Sequence, residues 1–270
     1  MGAEEYGERF SEGPVLASCD AGGILRMTLN QPARKNAMSL EAWEAMFDVL
    51  RLAEYDPDVR VLVITGAGGD FCAGADISSA AAGHPLSRIQ HIAKTPILLH
   101  DFPKPVLAQV EGVAVGAGWN IALACDLVVA STTARFAQLF VKRGLSVDWG
   151  GSWLLPRMVG LQQAKRLTML GDFVSPQEAE QLGLVTWVKS PEEIGPFVDE
   201  LAARLAAAPP IALSQSKSLI DQGTMSSFTD ALANEARAQA VNHATADAAI
   251  ARQAFAAKSE PEFTGKWAVR

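Results

Sequence analysis

The pattern best able to do chemistry in this chain needs no reactive side chain. It is the stretch EGVAVGAGWNIALACD at 111–126. An apolar strand, PVLAQV at 105–110, leads into it, and Gly116-Ala117-Gly118 stands at its centre. Residues 119–125 read as a buried helix of small and aliphatic residues. Residues this small let a backbone come close to another group. The first amides of a helix have no partner inside it and point outward with partial positive charge. Strand, small-residue turn and apolar helix together present bare N–H donors to a ligand oxygen. The same pattern also serves tight packing between backbone segments, and the stretch alone leaves both readings open.

The remaining reactive side chains are scattered. Cys19, Cys72 and Cys125 form no CxxC pair and no Cys/His metal pattern, so they read as reduced thiols. His84, His91, His100 and His243 are too dispersed to suggest a metal. Of 270 residues, 49% are hydrophobic, which suits a globular protein with a substantial core. The net charge is -7, from 30 acidic and 23 basic residues. That balance argues against nucleic acid or an anionic membrane as partner, while leaving room for a local basic pocket. The opening MGAEEYGERF is acidic without an apolar run, and no apolar stretch is long enough to span a bilayer. The expectation is a soluble cytoplasmic protein.

The elements that must position a site follow from pattern. Residues 15–19 and 24–29 read as a hairpin around Asp20-Ala21-Gly22-Gly23. Ser39 caps a helix reaching about Tyr55, and VLVIT at 61–65 reads as a strand buried on both faces. A glycine-rich turn at 66–70 precedes FCAGADI at 71–77, and 78–85 is a small polar loop. Residues 86–102 read as a helix with an irregularity at Pro96. Strands at 105–110 and 127–130, an extended piece at 135–138 and a loop at 140–148 follow. Helices are expected at 149–155 and 161–170, then one at 176–181 capped by Ser175, then a strand at 185–188. Helices at 191–207, 211–221, 226–242 and 245–258 complete the chain. The fold class is α/β, divided into a core at 1–207 and a helical region at 208–270.

Three segments together resemble the crotonase, or enoyl-CoA hydratase/isomerase, family: LNQPARKNAMS at 29–39, FCAGADI at 71–77 and EGVAVGAGWNIALACDLVVA at 111–130. FVKRGLSVDWGGSWLLPRMVG at 140–160 and AFAAKSEPEFTGKW at 254–267 extend the match in order. The 140–160 stretch and the FTGK tail look most like the phenylacetate-pathway ring-epoxide and oxepin-CoA isomerases. The resemblance implies a spiral of strand–strand–helix turns, C-terminal helices that build a homotrimer or homohexamer, and an acyl-CoA substrate. It implies no metal and no separate cofactor, since CoA is part of the substrate.

The resemblance also implies roles. The backbone amides of Ala75 and Ala117 would hold the thioester oxygen as an enolate forms, each such donor being worth roughly 3–4 kcal/mol of barrier. Backbone around Ala73, Asp76 and Ile77 would bind the adenine. Lys35 would lie near the CoA phosphates, and Lys266 would reach the nucleotide of its own or a neighbouring subunit; each lysine is also readable as a solvated charge. Phe140, Trp119 and Trp149 would line an acyl pocket, or else be core aromatics. Family hydratases manage water with two glutamates, and Asn120 and Phe140 stand at those positions. Neither can act as a general base. Asn120 could orient substrate or water.

Asp148 matches the aspartate of the family's dienoyl-CoA and epoxide-type isomerases and of its aromatic-CoA dehalogenases. Its neighbours Leu145, Val147 and Trp149 are apolar, which raises a carboxyl pKa. Its other reading is an N-cap for a helix opening at Trp149. The expected function is double-bond isomerisation with Asp148 as acid and base. A hydratase or hydrolase using Asp148, and a silent acyl-CoA- or RNA-binding homologue, are the alternatives.

Overall fold

The computed structural model describes residues 3–77 and 84–268. The expected loop at 78–85 falls largely outside them. Helix α1 (Ala3–Arg9), which no sequence pattern announced, precedes a hairpin of β1 (Val15–Cys19) and β2 (Ile24–Leu29). Asp20 closes that hairpin: its Oδ1 accepts from the Gly22 and Ile24 amides at 2.9 and 3.0 Å. Helix α2 (Leu40–Ala53) starts at Ser39, whose side chain accepts from the Ala42 amide. It leads to β3 (Val61–Gly66).

The single helix expected at 86–102 is two, α3 (Pro85–Ile92) and α4 (Lys94–His100). Pro96 has no N–H, and its ring would clash with the carbonyl one turn back. The break therefore sits at Ala93, upstream of the proline itself. Strand β4 (Val106–Val110) follows, then a three-residue strand, β5 (Val113–Val115), that periodicity could not register. Helix α5 (Ala117–Leu123), β6 (Leu127–Ser131) and β7 (Arg135–Ala137) come next.

Two expected helices near Asp148 are one kinked helix, α6 (Gly151–Leu170), bent at Gly160 with φ 73°. Its N-cap is Gly150, not Asp148, and no side chain caps it. The N-cap reading of Asp148 is thereby corrected: Trp149, with φ 52°, lies outside the helix. Helix α7 (Pro176–Gln181) is capped by Ser175 as expected, and β8 (Trp187–Lys189) starts two residues later than expected. Helices α8 (Pro191–Ala207), α9 (Pro210–Gly223), α10 (Phe228–His243) and α11 (Ala246–Ala257) complete the chain.

The main sheet runs β1-β2-β3-β4-β6-β8, antiparallel at the hairpin and parallel elsewhere; β5 and β7 pair separately in parallel. One face of the main sheet, with Leu62, Ile64, Val106 and Ala108, packs on α2 and α5 residues in the larger core. The other face, with Val61, Val63, Leu107 and Val129, packs on Ile194, Val198 and Leu201 of α8. Burial on both faces is why 61–65 carries an unbroken apolar run. Each such fully buried side chain contributes roughly 1.5–3 kcal/mol.

Arg60 and Lys217 tie the C-terminal helices to the core. Arg60 Nη2 donates to the Ala208 carbonyl at 3.0 Å, and Lys217 Nζ donates to Asp126 Oδ2 at 3.0 Å. Ile220, Phe228 and Phe255 are nonetheless exposed on these helices. Among the described residues no helix is long and apolar enough to cross a membrane. Nor does any cluster of three His, Cys, Asp or Glu able to hold a metal ion gather there.

Candidate active site

Two backbone segments converge at the small two-stranded sheet. Cys72 donates to the Val113 carbonyl at 2.8 Å and accepts from Val115 at 3.0 Å, so residues 72–75 run beside β5. On their far side Met38 donates to the Gly74 carbonyl at 2.8 Å and accepts from Asp76 at 2.9 Å. These bonds use the groups of residues 74 and 76 and pass over the amide of Ala75. Ala117 is the first residue of α5, so its amide has no intrahelical partner. Among the described residues neither amide donates a hydrogen bond inside the chain.

The approach depends on missing side chains. A Cβ at Gly118 would lie 2.2 Å from the Cys72 carbonyl oxygen, and one at Gly74 would lie 2.8 Å from that of Val115. Gly116 turns β5 into α5 with φ 55° and ψ -126°, a conformation open to glycine.

Ala75 and Ala117 share a cavity of about 320 Å³ with Ala73, Asp76, Ile77, Val115, Leu139, Phe140, Arg143, Leu145 and Asp148. The sequence-expected acid and both residues expected to supply the amides therefore line one space. Asp148 Oδ1 is buried and has no partner among the described residues. Burial alone pushes its carboxyl from the ordinary 3.8 up to about 6. A carboxylate with that value is mostly ionised near neutral pH yet basic enough to take a proton. Asp76 is the other carboxyl on the cavity, and Arg34 holds it at 2.5 Å.

The aromatic expectations divide. Phe140 lines this cavity. Trp119 does not: it is fully buried, its ring centroid 5.2 Å from that of Phe136, because it lies on the α5 face turned to β7. Trp149 does not either. Its backbone is left-handed, and its ring stacks on Trp43 at 5.2 Å. It lines a second cavity of about 310 Å³ with His100, Trp153 and Leu154. Asn120 is also absent from the amide-bearing cavity and is fully buried. Its Nδ2 donates to the Asp148 backbone carbonyl at 2.8 Å, and its Oδ1 accepts from Gln138 Nε2 at 2.8 Å. An orienting contact from Asn120 to substrate or water is corrected accordingly.

Ala73, Asp76 and Ile77 edge the cavity as expected, although the Asp76 amide is engaged by Met38. Lys35 is exposed, with Nζ 3.6 Å from Asp70 Oδ2, and its carbonyl accepts from the Ala73 amide at 2.9 Å. Lys266 lies on the tail, outside this cavity's lining. The tail is held by the buried carboxylate of Asp247, which accepts from the Thr264 and Gly265 amides at 2.7 and 2.9 Å. Burial pushes the Cys72 thiol up to about 12, and its Sγ donates to the Asn36 carbonyl. Sequence reasoning missed Arg143 and Gln138. Arg143 is a basic residue in a polar loop, and Gln138 looked like the end of an extended piece; neither carried a pattern.

Comparisons show the family. The enoyl-CoA hydratase/isomerase family model matches residues 20–266. The chain is 35% identical over 251 residues to the 1,2-epoxyphenylacetyl-CoA isomerase of Escherichia coli K12, covering 90% of this chain and 96% of that protein. It is 34% identical to the short-chain-enoyl-CoA hydratase of Clostridium acetobutylicum, covering 89% and 94%. The crystal structure of an enoyl-CoA hydratase from Bacillus anthracis superposes with TM-score 0.90 at 29% identity, covering 94% of this chain and all (100%) of that one. The fold is the crotonase fold, and the chain belongs to the enoyl-CoA hydratase/isomerase family of enzymes.

Proposed function

We propose that this enzyme is an isomerase that moves a double bond in an acyl-CoA thioester. The observation that carries the reading is the cavity in which two unengaged amides, of Ala75 and Ala117, share a wall with the unpartnered Asp148 carboxylate. The thioester oxygen sits between the amides. Asp148 takes a proton from the acyl chain, and the electron pair left behind spreads onto the thioester oxygen as a dienolate. The proton then returns from Asp148 to another carbon on the same face, and the double bond ends one position over. Proton transfer of this kind contributes roughly 10²–10⁴-fold in rate, and the two amide donors stabilise the charge. No separate cofactor takes part, because CoA is carried by the substrate.

Asn120 and Phe140 are unable to manage a water molecule as paired carboxylates would, which weighs against efficient hydration. Backbone around Ala73, Asp76 and Ile77 meets the adenine, and Lys35 and Lys266 are the cations offered to the nucleotide phosphates. Phe140 contributes to the acyl wall. The exposed apolar residues of α9–α11 support a homotrimer or homohexamer, and light scattering on the purified protein reads its mass. The proposed setting is the cytoplasm. Hydratase names among the relatives favour a second reading, in which Asp148 activates water.

One experiment divides the two. Purified enzyme is given a 3-enoyl-CoA and, separately, a 2-enoyl-CoA, and the products are identified. Isomerisation of the first without hydration of the second is the expected result. Hydration of the second that survives Asp148→Asn would end the isomerase assignment.

A further inference from the structure

Behind the acid-bearing segment lies a polar pair that the reaction itself does not use. Asn120 and Gln138 are both 0% exposed, and neither lines the amide-bearing cavity. The chemistry of their contacts fixes how both side chains are turned. The Asp148 carbonyl can only accept, so Asn120 must face it with nitrogen, at 2.8 Å. The Asn120 oxygen then points to Gln138, which must in turn present its own nitrogen, also at 2.8 Å. The same Asp148 carbonyl accepts a second bond from the Gly151 amide at 3.0 Å. The clamp requires glycine there, since a Cβ at 151 would lie 2.5 Å from Asn120 Nδ2.

What the clamp holds is a backbone in an unfavoured state. Trp149 and Gly150 follow Asp148 with φ 52° and 79°. A tryptophan in the left-handed region is uncommon and persists only where its surroundings over-determine it. The peptide joining Asp148 to Trp149 anchors the Cα from which the Asp148 carboxyl departs. Two donors on that peptide's carbonyl fix the plane. The cost of keeping this pair is visible as well. Gln138 Oε1 is buried with no partner among the described residues, a cost set against the bond its nitrogen gives the buried Asn120 oxygen.

We infer that Asn120 and Gln138 are positioning residues, which fix the Asp148 peptide plane and so aim its carboxyl at the carbons held opposite the two amides. The inference rests on Asp148 being the proton carrier. Asn120 acts through the Asp148 carbonyl, and Gln138 acts through Asn120 by holding its amide in the donating orientation. Neither touches the reacting atoms.

The test uses full-length enzyme and 3-hexenoyl-CoA, with the variants Asn120→Leu, Gln138→Met, Asp148→Asn and the double variant Asn120→Leu/Asp148→Asn. Misplacing a reacting group by about an ångström costs up to roughly 100-fold. Asn120→Leu should lose on that order in kcat with KM little changed, and Gln138→Met should lose less in the same direction. In the Asp148→Asn background Asn120→Leu should cost nothing more. Equal losses in both backgrounds, or a rise in KM with kcat intact, would overturn the inference. If Asn120→Leu does not fold, by circular dichroism, Gln138→Met alone and combined with Asp148→Asn decides by the same criteria. An active Asp148→Asn enzyme would sink the proton-carrier reading and this inference together. An inactive Asp148→Asn beside a fully active Asn120→Leu would sink this inference alone.

Discussion

The cavity has two walls of different construction. One is main chain: the amides of Ala75 and Ala117, set by the β5 pairing and the opening of α5. The other is a side chain, Asp148, carried on a loop whose carbonyl is held by Asn120 and Gly151. The first wall is rigid because its neighbours are strands and because glycines let two backbones nearly touch. The second wall is a single side chain, so its chemistry can change at position 148 while the carbonyl clamp behind it stays in place. A scaffold divided this way can keep its charge-stabilising half fixed while chemistry changes on the other half. That division fits relatives named both as isomerases and as hydratases.

The division is broken most severely on the acid wall. Asp148→Asn keeps the shape and removes the base, so isomerase kcat should fall about 10³-fold. Substrate affinity should survive, because the amide wall is untouched; isothermal titration with a CoA thioester checks it. Loss of binding along with activity would show that the walls are not independent. On the other wall, Gly118→Ala forces a Cβ to within 2.2 Å of the Cys72 carbonyl unless the segments separate. Separation moves the Ala117 amide away from its target. A drop of roughly 10²-fold in kcat follows if one oxyanion donor is lost. A lower Tm should accompany it, since a buried backbone contact must open. Wild-type Tm and kcat in Gly118→Ala would remove the close approach from the account.

How far the sequence reaches differs between the walls for a physical reason. Small residues at 116–118 and 73–75 are readable because backbone function demands particular residue types at fixed spacing. The helix caps at Ser39 and Ser175 were legible for the same reason. Asp148 was legible as an acid among apolar neighbours, but its local conformation was not. Trp149 reads as the start of a helix, yet its backbone is left-handed, next to an Asp148 carbonyl held by Asn120 and Gly151 and with its ring on Trp43, partners distant in sequence or invisible to periodicity. The same distance hid the true places of Trp119 and Asn120. Strand β5 is too short to show alternation, and α1 lies in a segment whose charge masked its buried Tyr6 and the flanking Phe10.

The raised Asp148 carboxyl supplies a smaller and two-sided effect. Its folded value is about 6 against an ordinary 3.8, through burial. Activity needs the ionised form, so kcat/KM should rise with pH through about 6 and level off above it. Stability should move the other way. The folded state binds the proton more tightly than the unfolded chain, so the burial penalty is absent below the ordinary value and grows as pH rises towards 6. Asp148→Asn should therefore melt higher than wild type at pH 8, with the difference vanishing near pH 4. Equal melting at both would mean that the carboxyl is better solvated than its surroundings indicate.

The smallest effect is expected at a charge that lies in water. Lys35 sits 3.6 Å from Asp70 with its side chain 60% exposed. Exposed pairs of this kind are worth little to folding, so Lys35→Ala should leave Tm unchanged. Its proposed partner is a phosphate of CoA, and an exposed cation attracts a phosphate only as far as salt allows. KM for the acyl-CoA should rise severalfold in dilute buffer and converge on wild type as ionic strength increases, with kcat constant throughout. A change in kcat would carry Lys35 from binding to the chemistry, against the separation of a fixed amide wall from an acid wall.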